Sequence, residues 1–290
     1  SVNTRNYYSA NAYVNYEDTF NEAHHVAAVF GANYETLKIK NVSAWGQNLS
    51  SANLDDLDLV GQNDKGETLT GVGGGQNEYA LLGFFGRLNY DYKGRYLFEV
   101  SGRYDGTSRF ARGNRWGLFP SGSVGWRISE EPFFKPARKV IDNLKLRGSF
   151  GSLGNQNVSS YYTFLRLISI NSFSAYSFNE GSAMAKYSTL GAPIASNLTW
   201  ETAEQWDLGV DLGMLNNRLS LTADVYVRNT KNMLTDGIEL PAVYGASVPK
   251  MNTANLRTKG YELSATWRDN FDLGGHTLEY SLGANMSNYQ

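Results

Sequence analysis

The sequence predicts an all-β fold, specifically part of an antiparallel up-and-down transmembrane β-barrel. Three observations support this prediction: apolar and polar residues alternate, the alternating segments are about ten residues long, and short and long connections alternate between them. Successive side chains point to opposite faces only in a strand, so the alternation indicates strands. A membrane-crossing strand needs about nine to eleven tilted residues, whereas strands of soluble sheets usually have about five or six.

The clearest alternation lies between Leu82 and Ile128. From residue 82 to residue 92 the even positions are aromatic or aliphatic apart from Gly86, and most odd positions are polar. The dipeptide Lys93-Gly94 then predicts a two-residue turn, because glycine accommodates the positive φ that tight hairpins require. A second alternating strand and a third follow, separated by a polar loop. This order predicts an antiparallel meander.

The remaining strands follow from the same pattern. The predicted strands cover residues of about 5–17, 24–36, 81–92, 95–105, 117–128, 144–151, 203–214, 218–229, 258–268 and 276–288, with ends that are uncertain by a few residues. The predicted long loops are about 37–80, 106–116, 152–202 and 230–257. Successive connections of a meander lie at opposite ends, so the long loops share one end. Outer-membrane barrels have short periplasmic turns and long extracellular loops, which makes these four loops extracellular.

Composition excludes several classes of function. Lysine and arginine number 26 against 28 aspartates and glutamates, so the chain lacks the basic footprint of a nucleic-acid-binding protein. Cysteine is absent, which rules out disulfides and thiolate metal sites within this chain. The three histidines, His24, His25 and His276, form no spacing typical of a catalytic or metal site. We therefore predict no enzyme activity, no metal and no cofactor.

Calcium in the extracellular loops is a weaker alternative. Asp55, Asp56 and Asp58 offer the oxygen ligands that Ca²⁺ takes. Their spacing matches no EF-hand loop, so a solvated acidic turn is the favoured interpretation.

Several phrases resemble the SusC/RagA family of TonB-dependent outer-membrane transporters. They occur in the family's order and at natural spacing. The phrases are the run beginning LLGFFGRLNYDYKG (Leu81–Phe134), LKLRGSFGSLGNQ (Leu144–Gln156), the run beginning LTWETAEQWDLGVDLG (Leu198–Leu234) and NLRTKGYELSATW (Asn255–Trp267). Over residues 1–80 the resemblance is weaker. An ordered set of this kind is more specific than any single motif.

The resemblance implies a barrel of about twenty-two strands around an N-terminal plug in the bacterial outer membrane. Residues 1–290 are expected to be the central part of the barrel domain, supplying about ten strands, with the plug and the TonB box absent from this chain. The implied function is active import of oligosaccharides or peptides. The implied partners are a SusD-like surface lipoprotein that caps the barrel, the TonB–ExbB–ExbD complex acting through the N-terminal region, and outer-membrane lipid and lipopolysaccharide. Arg109, Arg112 and Arg115 either contact lipopolysaccharide phosphates or fold inward.

Given such a function, aromatic residues in the long loops are the predicted substrate-binding residues, because sugars bind aromatic faces flanked by hydrogen-bonding groups. The candidates are Trp45, Tyr161, Tyr162 and Tyr244. The alternative is that these residues pack the loops or contact the lid protein.

The two faces of the strands predict two further sets of residues. The predicted polar lining of the lumen consists of Arg87, Glu99, Arg103, Asp207, Asp211 and Asp224. The predicted aromatic anchors at the membrane interface are Trp126, Trp206 and Trp267, and we also assign Trp116 and Trp200 to the aromatic girdle.

Two alternatives to the importer stay open. A passive porin needs no plug, TonB box or partner. A soluble β-rich module, such as an adhesin or a carbohydrate-binding domain, needs a second sheet to cover its aromatic face.

Overall fold

The computed structural model describes residues 1–49, 53, 56–63, 66, 68, 70–158, 160–177, 184–191, 193–195, 197–237, 239, 241, 243 and 248–290. The strands are β1 (Val2–Phe20), β2 (His24–Gly46), β3 (Thr70–Tyr92), β4 (Tyr96–Thr107), β5 (Trp116–Arg127), β6 (Ile141–Asn155), β7 (Ile168–Ser177), β8 (Met184–Leu190), β9 (Glu201–Met214), β10 (Leu219–Asp236), β11 (Lys250–Leu273) and β12 (His276–Tyr289). Short 3-10 helices cover Leu57–Leu59, Arg112–Asn114, Ile128–Glu130, Pro132–Phe134 and Ala137–Lys139. In the part of the chain described here, no helix is long and apolar enough to cross a membrane.

Ten strands form one antiparallel sheet in the order β1-β2-β3-β4-β5-β6-β9-β10-β11-β12. Each strand pairs with the next one along the chain, except that the hairpin β7–β8 forms a separate two-stranded sheet within the connection from β6 to β9. The all-β, up-and-down prediction is therefore confirmed. The sheet does not close on itself within this chain, because β1 and β12 are its two edges.

The strands at the long-loop end are longer than predicted. β2 and β3 have 23 residues each. They pair without a register shift from His24–Tyr92, at the short-turn end, to Gly46–Thr70. The glycines at 71, 73, 74 and 75, which lie within the predicted loop of about 37–80, belong to β3. Beyond the membrane a strand needs no apolar face, so the alternation fades while the backbone ladder continues. The long connections shrink to residues 47–69, 108–115, 156–200 (including the β7–β8 hairpin) and 237–249.

The short-turn end has the backbone geometry that tight hairpins require. Lys93 and Gly94 have φ values of 54° and 64°, as a type I′ turn demands. Positive φ also occurs in the turn between β1 and β2, at residues 215–217 between β9 and β10, and at Gly274 and Gly275 before β12. Asparagine and glycine accept this conformation at low cost, which explains their presence in these turns.

One face of the sheet, here called the apolar face, carries exposed large side chains. Val100, Leu208 and Leu282 are 65%, 66% and 66% exposed. Further exposed members include Phe84, Leu88, Phe98, Val124, Trp206, Val225 and Leu263. A soluble protein rarely exposes an apolar surface of this extent, and in the described residues no second sheet covers it. This face is suited to contact with lipid, which disfavours the soluble module.

A lysine on the apolar face should destabilise the barrel much more than one on the other face. Leu208 lies near the middle of β9 on the apolar face, and Thr222 of β10 lies on the opposite face, across from Asp211. We expect Leu208→Lys to lower the free energy of unfolding by about 2–4 kcal/mol, the cost of a cation at mid-bilayer. Thr222→Lys is the matched control and should cost less than half as much. Urea titration of the full-length protein in lipid vesicles measures both values, and equal costs would show that the apolar face does not contact lipid.

Candidate functional site: the polar face and the long-loop end

The second face of the sheet, the polar face, holds all six residues predicted to line the lumen. Cross-strand pairing places Arg87 opposite Ser101, with Glu99 and Arg103 two residues to either side. Glu99 pairs with Ser123, Ser123 with Ser149, and Ser149 with Asp207. Asp211 follows on β9, and Asp224 pairs with Gly209 on the same face. The register thus agrees with a common face, while a lumen-lining role stays a prediction.

Arg147 of β6 is the centre of an ion network that the sequence analysis did not identify. Its guanidinium lies 3.5 Å from Asp207, 3.3 Å from Asp211 and 2.7 Å from Asp224. All four side chains are 30% exposed or less. The network therefore joins β6, β9 and β10 across the polar face.

Gly209 makes this network sterically feasible. It lies on β9 between Arg147 and Asp224, and it pairs with both. A Cβ atom at position 209 would lie 2.3 Å from an Asp224 carboxylate oxygen and 2.5 Å from the Arg147 guanidinium carbon. A glycine flanked by an arginine and an acidic residue on the neighbouring strands is the signal that could have revealed the network.

A second arginine bridge repeats this arrangement between β2 and β4. Arg103 donates to the Asp105 carboxylate at 2.7 Å and to the Asn33 side-chain oxygen at 2.9 Å, and its guanidinium lies 5.5 Å from the Phe85 ring centroid. Gly83 pairs with both Asn33 and Asp105, and a Cβ atom there would clash with both side chains. Arginine side chains that span a glycine thus brace the polar face at two places.

A buried cluster organises the long-loop end. Phe110, Phe119, Leu198 and Trp200 are at most 7% exposed, and Val158, Ala195 and Leu234 pack against them. The Trp200 indole meets both phenyl rings edge to face, with centroids 5.3 Å and 5.9 Å away, and donates to the Arg115 carbonyl oxygen at 2.9 Å. The girdle prediction for Trp200 is therefore wrong, because its side chain fills a loop core.

Trp116, by contrast, lies on the apolar face. Its ring stacks on that of Tyr104 at 4.8 Å and on that of Phe84 at 6.3 Å, and the side chain is 40% exposed. This position fits an aromatic girdle near the long-loop end.

The structure places Tyr161 and Tyr162 in contact with β3 and with Arg109. The Tyr161 ring stacks on Tyr79 with centroids 5.8 Å apart. The Arg109 guanidinium lies 4.3 Å from the Tyr79 centroid and 5.2 Å from the Tyr161 centroid. The Tyr162 hydroxyl accepts a hydrogen bond from the Glu78 backbone N–H at 3.1 Å. These contacts favour the loop-packing interpretation, and they turn Arg109 inward.

Trp45 has a different environment, with an open ring face. Its side chain is 53% exposed at the upper end of β2, on the polar face and opposite Gly71 of β3. A Cβ atom at Gly71 would lie 2.3 Å from the indole, so the ring lies flat over the glycine backbone. Ser43 and Asn41 follow on the same face and also oppose glycines, Gly73 and Gly75. We call Trp45, Ser43 and Asn41 with the three glycines the Trp45 shelf.

The three tryptophans predicted as interface anchors lie on the apolar face. Trp126 donates its indole N–H to Glu131 at 3.1 Å, and Trp267 donates to the Tyr280 hydroxyl at 3.3 Å. Trp206 is 60% exposed and packs on Phe150 with ring centroids 4.6 Å apart. Their anchoring role stays a prediction that this placement supports.

Two predictions fall partly or wholly outside the described residues. Tyr244 is one, and Asp55 of the acidic loop triplet is the other, while Asp56 and Asp58 are exposed. Within the described ranges, no group of three or more histidine or carboxylate side chains is placed to hold a metal ion. Calcium in these loops stays an untested prediction.

Comparison with known proteins gives a consistent result. A family model described as "TonB dependent receptor-like, beta-barrel" matches residues 1–290. The TonB-dependent receptor SusC of Bacteroides thetaiotaomicron is 40% identical over 164 residues, covering 56% of this chain and 16% of SusC. A TonB-dependent receptor of Formosa agariphila is 30% identical over 261 residues, covering 87% of this chain and 23% of that receptor. This chain thus spans less than a quarter of either relative.

Solved structures agree with these relatives. The structure of the RagAB peptide transporter superposes with a TM-score of 0.80 at 25% identity, covering 99% of this chain and 31% of that chain. The outer-membrane transporter YddB of Escherichia coli has a TM-score of 0.61 at 10% identity, with 99% of this chain and 34% of that chain covered, which is a likeness of fold alone.

Removing the guanidinium at position 147 should destabilise the barrel wall. Arg147→Met leaves three partly buried carboxylates without their shared cation, so we expect the free energy of unfolding to fall by about 2–3 kcal/mol. Arg147→Lys should have a free energy of unfolding between those of Arg147→Met and the wild type, because a lysine cannot reach three carboxylates at once. Urea titration of the full-length protein in vesicles measures both.

The double variant Arg147→Met/Asp224→Asn is the internal control. It removes one uncompensated charge, so it should be more stable than Arg147→Met alone. If the two variants are equally stable, Arg147 does not act through Asp224.

Proposed function

Because the chain belongs to the TonB-dependent receptor β-barrel family of the outer membrane, we propose that it forms part of an active importer of oligosaccharides. In this proposal a SusD-like surface lipoprotein caps the long-loop end, and TonB supplies energy through a region outside this chain. The family consists of transporters, and we propose no catalytic role for any residue of this chain.

The two faces of the sheet support transport. An apolar outer surface and a charged inner wall suit a wide, water-filled lumen in lipid. A lumen wide enough for an oligosaccharide leaks unless it is plugged, so uptake requires an energy input that moves the plug. An energised, plugged importer meets this requirement, whereas a passive porin would leave the lumen open.

The Trp45 shelf is the observation that favours a carbohydrate. A flat, half-exposed indole with serine and asparagine beside it offers the aromatic face and the hydrogen-bonding groups that sugars use. Gly71 lets the indole lie against the backbone, and Gly75 has open space above it, which leaves room for a ring-shaped ligand along the shelf. Of the predicted substrate-binding residues, we therefore retain Trp45 as the principal one.

A peptide is the second candidate substrate. The likeness to the RagAB peptide transporter favours it, at a lower identity than that to SusC. A peptide would use the same shelf through its backbone amides, which asparagine and serine side chains can also bind.

A lid protein is supported by the packing of the described residues at the long-loop end. The buried cluster around Trp200 and the tyrosine–arginine stack around Arg109 hold the loops in place. A rigid rim lowers the entropy cost of binding a partner protein. We propose that Tyr161 and Tyr162 contribute to this rim rather than to substrate contact.

Purification of the full-length protein from detergent-solubilised outer membranes tests the proposed function. We expect a stoichiometric surface lipoprotein to co-purify, and the purified complex to give no steady conductance in a planar bilayer. A partner-free protein that forms steady open channels would instead identify a porin.

Substitution of Trp45 tests the substrate site. Loss of a central aromatic contact typically costs at least ~1 kcal/mol, so Trp45→Ala should weaken oligosaccharide binding by about fivefold or more. Trp116→Ala, on the apolar face, is the matched control and should leave the affinity unchanged. Isothermal titration of the full-length complex measures both, and equal affinities for Trp45→Ala and wild type would exclude the shelf as a binding site.

A further inference from the structure

The connection between β5 and β6 differs from the tight turns at its end of the sheet. Residues 128–140 form three consecutive 3-10 helices, Ile128–Glu130, Pro132–Phe134 and Ala137–Lys139. This connection is longer than the other turns at its end of the sheet, and the function proposed above does not account for it.

Glu131 holds the start of this connection against the apolar face. One carboxylate oxygen accepts hydrogen bonds from the Tyr96 hydroxyl at 2.6 Å and from the Trp126 indole at 3.1 Å. Both donors belong to the rows of residues on the apolar face, where they pair with each other across β4 and β5. The connection is therefore attached on the lipid-facing side of the wall and not beneath the lumen.

The Glu131 anchor is charged and well enclosed. Its side chain is 8% exposed, and the Arg95 guanidinium lies 3.6 Å from the second carboxylate oxygen. The hydrogen bonds from Tyr96 and Trp126, helped by the Arg95 charge, lower the pKa of Glu131 below its ordinary value. The carboxylate is thus ionised at neutral pH and accepts both hydrogen bonds.

Further contacts fix the rest of the connection. Arg138 donates to the Ser129 carbonyl oxygen at 2.5 Å and to Glu130 at 2.9 Å, and Ser129 is fully buried. At the far end, the Leu215 backbone N–H donates to the Val140 carbonyl oxygen at 2.9 Å. The segment therefore has a defined conformation along the rim.

The outer surface of this segment is both cationic and apolar. Residues 132–140 contain Lys135, Arg138 and Lys139 and no carboxylate. Phe133 is 66% exposed and Val140 is 49% exposed. Lys135 and Lys139 are exposed and form no ion pair with any described residue. An exposed phenyl ring beside unpaired lysines is the composition of a segment that lies in a membrane interface.

We propose that residues 132–140 are an interfacial foot that binds anionic phospholipid headgroups of the periplasmic leaflet, with Phe133 inserted among the acyl chains. The foot continues the lipid-facing surface of the sheet, and its charge is complementary to a phosphodiester. Lys93, whose ammonium lies 5.3 Å from the Tyr92 ring centroid in the neighbouring turn, adds a cation along the same rim. A protein partner beneath the lumen is disfavoured, because Glu131 attaches the segment to the opposite side of the wall.

Native mass spectrometry of the full-length protein titrated with phosphatidylglycerol tests headgroup binding. Each lysine near an anionic headgroup is worth about a fivefold change in affinity, so Lys135→Gln/Lys139→Gln should weaken the tightest phosphatidylglycerol site by roughly 25-fold. Phosphatidylcholine binding should not change. Lys40→Gln, which removes an exposed lysine far along β2 from the turn, is the matched control and should have no effect. Equal phosphatidylglycerol affinity in the wild type and the double variant would overturn the proposal.

A depth measurement tests the insertion of Phe133 independently. A spin label at Phe133→Cys in nanodiscs should be relaxed more strongly by oxygen, which concentrates in lipid, than by a water-soluble nickel chelate. A label at Arg218→Cys, in the tight turn between β9 and β10, provides the aqueous reference. A label at position 133 that responds to the chelate as strongly as the reference would show that the foot lies in water and would overturn the insertion of Phe133.

Discussion

A chain that crosses a bilayer must satisfy its backbone hydrogen bonds within the sheet, because lipid offers no partners. The ten-stranded ladder meets this constraint, and the remaining features depend on it. Where the ladder is regular, it fixes which side of the wall each residue faces, so one sequence pattern specifies both the apolar face and the polar face. It also keeps side chains on neighbouring strands about 5 Å apart, which limits direct contact to adjacent strands. Two side chains that lie two strands apart can touch only where the residue between them on the intervening strand has no side chain.

Glycine provides that gap. Arg147 reaches Asp224 across Gly209. Arg103 likewise reaches Asn33 across Gly83. The same device appears at the long-loop end, where the Trp45 indole lies over Gly71. A neighbouring side chain lies above each of these glycines. The absence of a Cβ atom therefore matters more at these positions than the backbone freedom of glycine. Ion pairs thus brace the wall at Gly209 and Gly83, where the strand pairing stays regular.

Much of the fold could be predicted from the sequence, and the reason is the period of two. Alternation identified the ten sheet strands and both faces, including the placement of Trp126 and Asp207. The alternation failed to identify strands outside the membrane, where its physical cause is absent. Above the membrane no lipid selects apolar residues, so the upper parts of β2 and β3 resembled loop. Trp200 was assigned to the girdle because a tryptophan near a strand start is usually interfacial, yet it packs on Phe110 and Phe119, distant in sequence. The network around Arg147 depends on register between three strands, which no local pattern encodes.

In the proposed importer, where the polar face lines the lumen, the charge of that face constrains what can occupy the lumen. Asp207, Asp211 and Asp224 share the Arg147 guanidinium, and Glu262 lies opposite Asp224 on β11. The Arg147 guanidinium contacts three of these four carboxylates, and Lys145 lies opposite Asp211 on β6. Water or mobile cations solvate the remaining negative charge in an open lumen. A plug that packs against this part of the wall displaces that water. The desolvation cost is then met only if the plug presents basic side chains or leaves the patch hydrated. Either arrangement gives an interface that separates more readily than an apolar one, which suits the plug of the proposed importer, because that plug must move during transport.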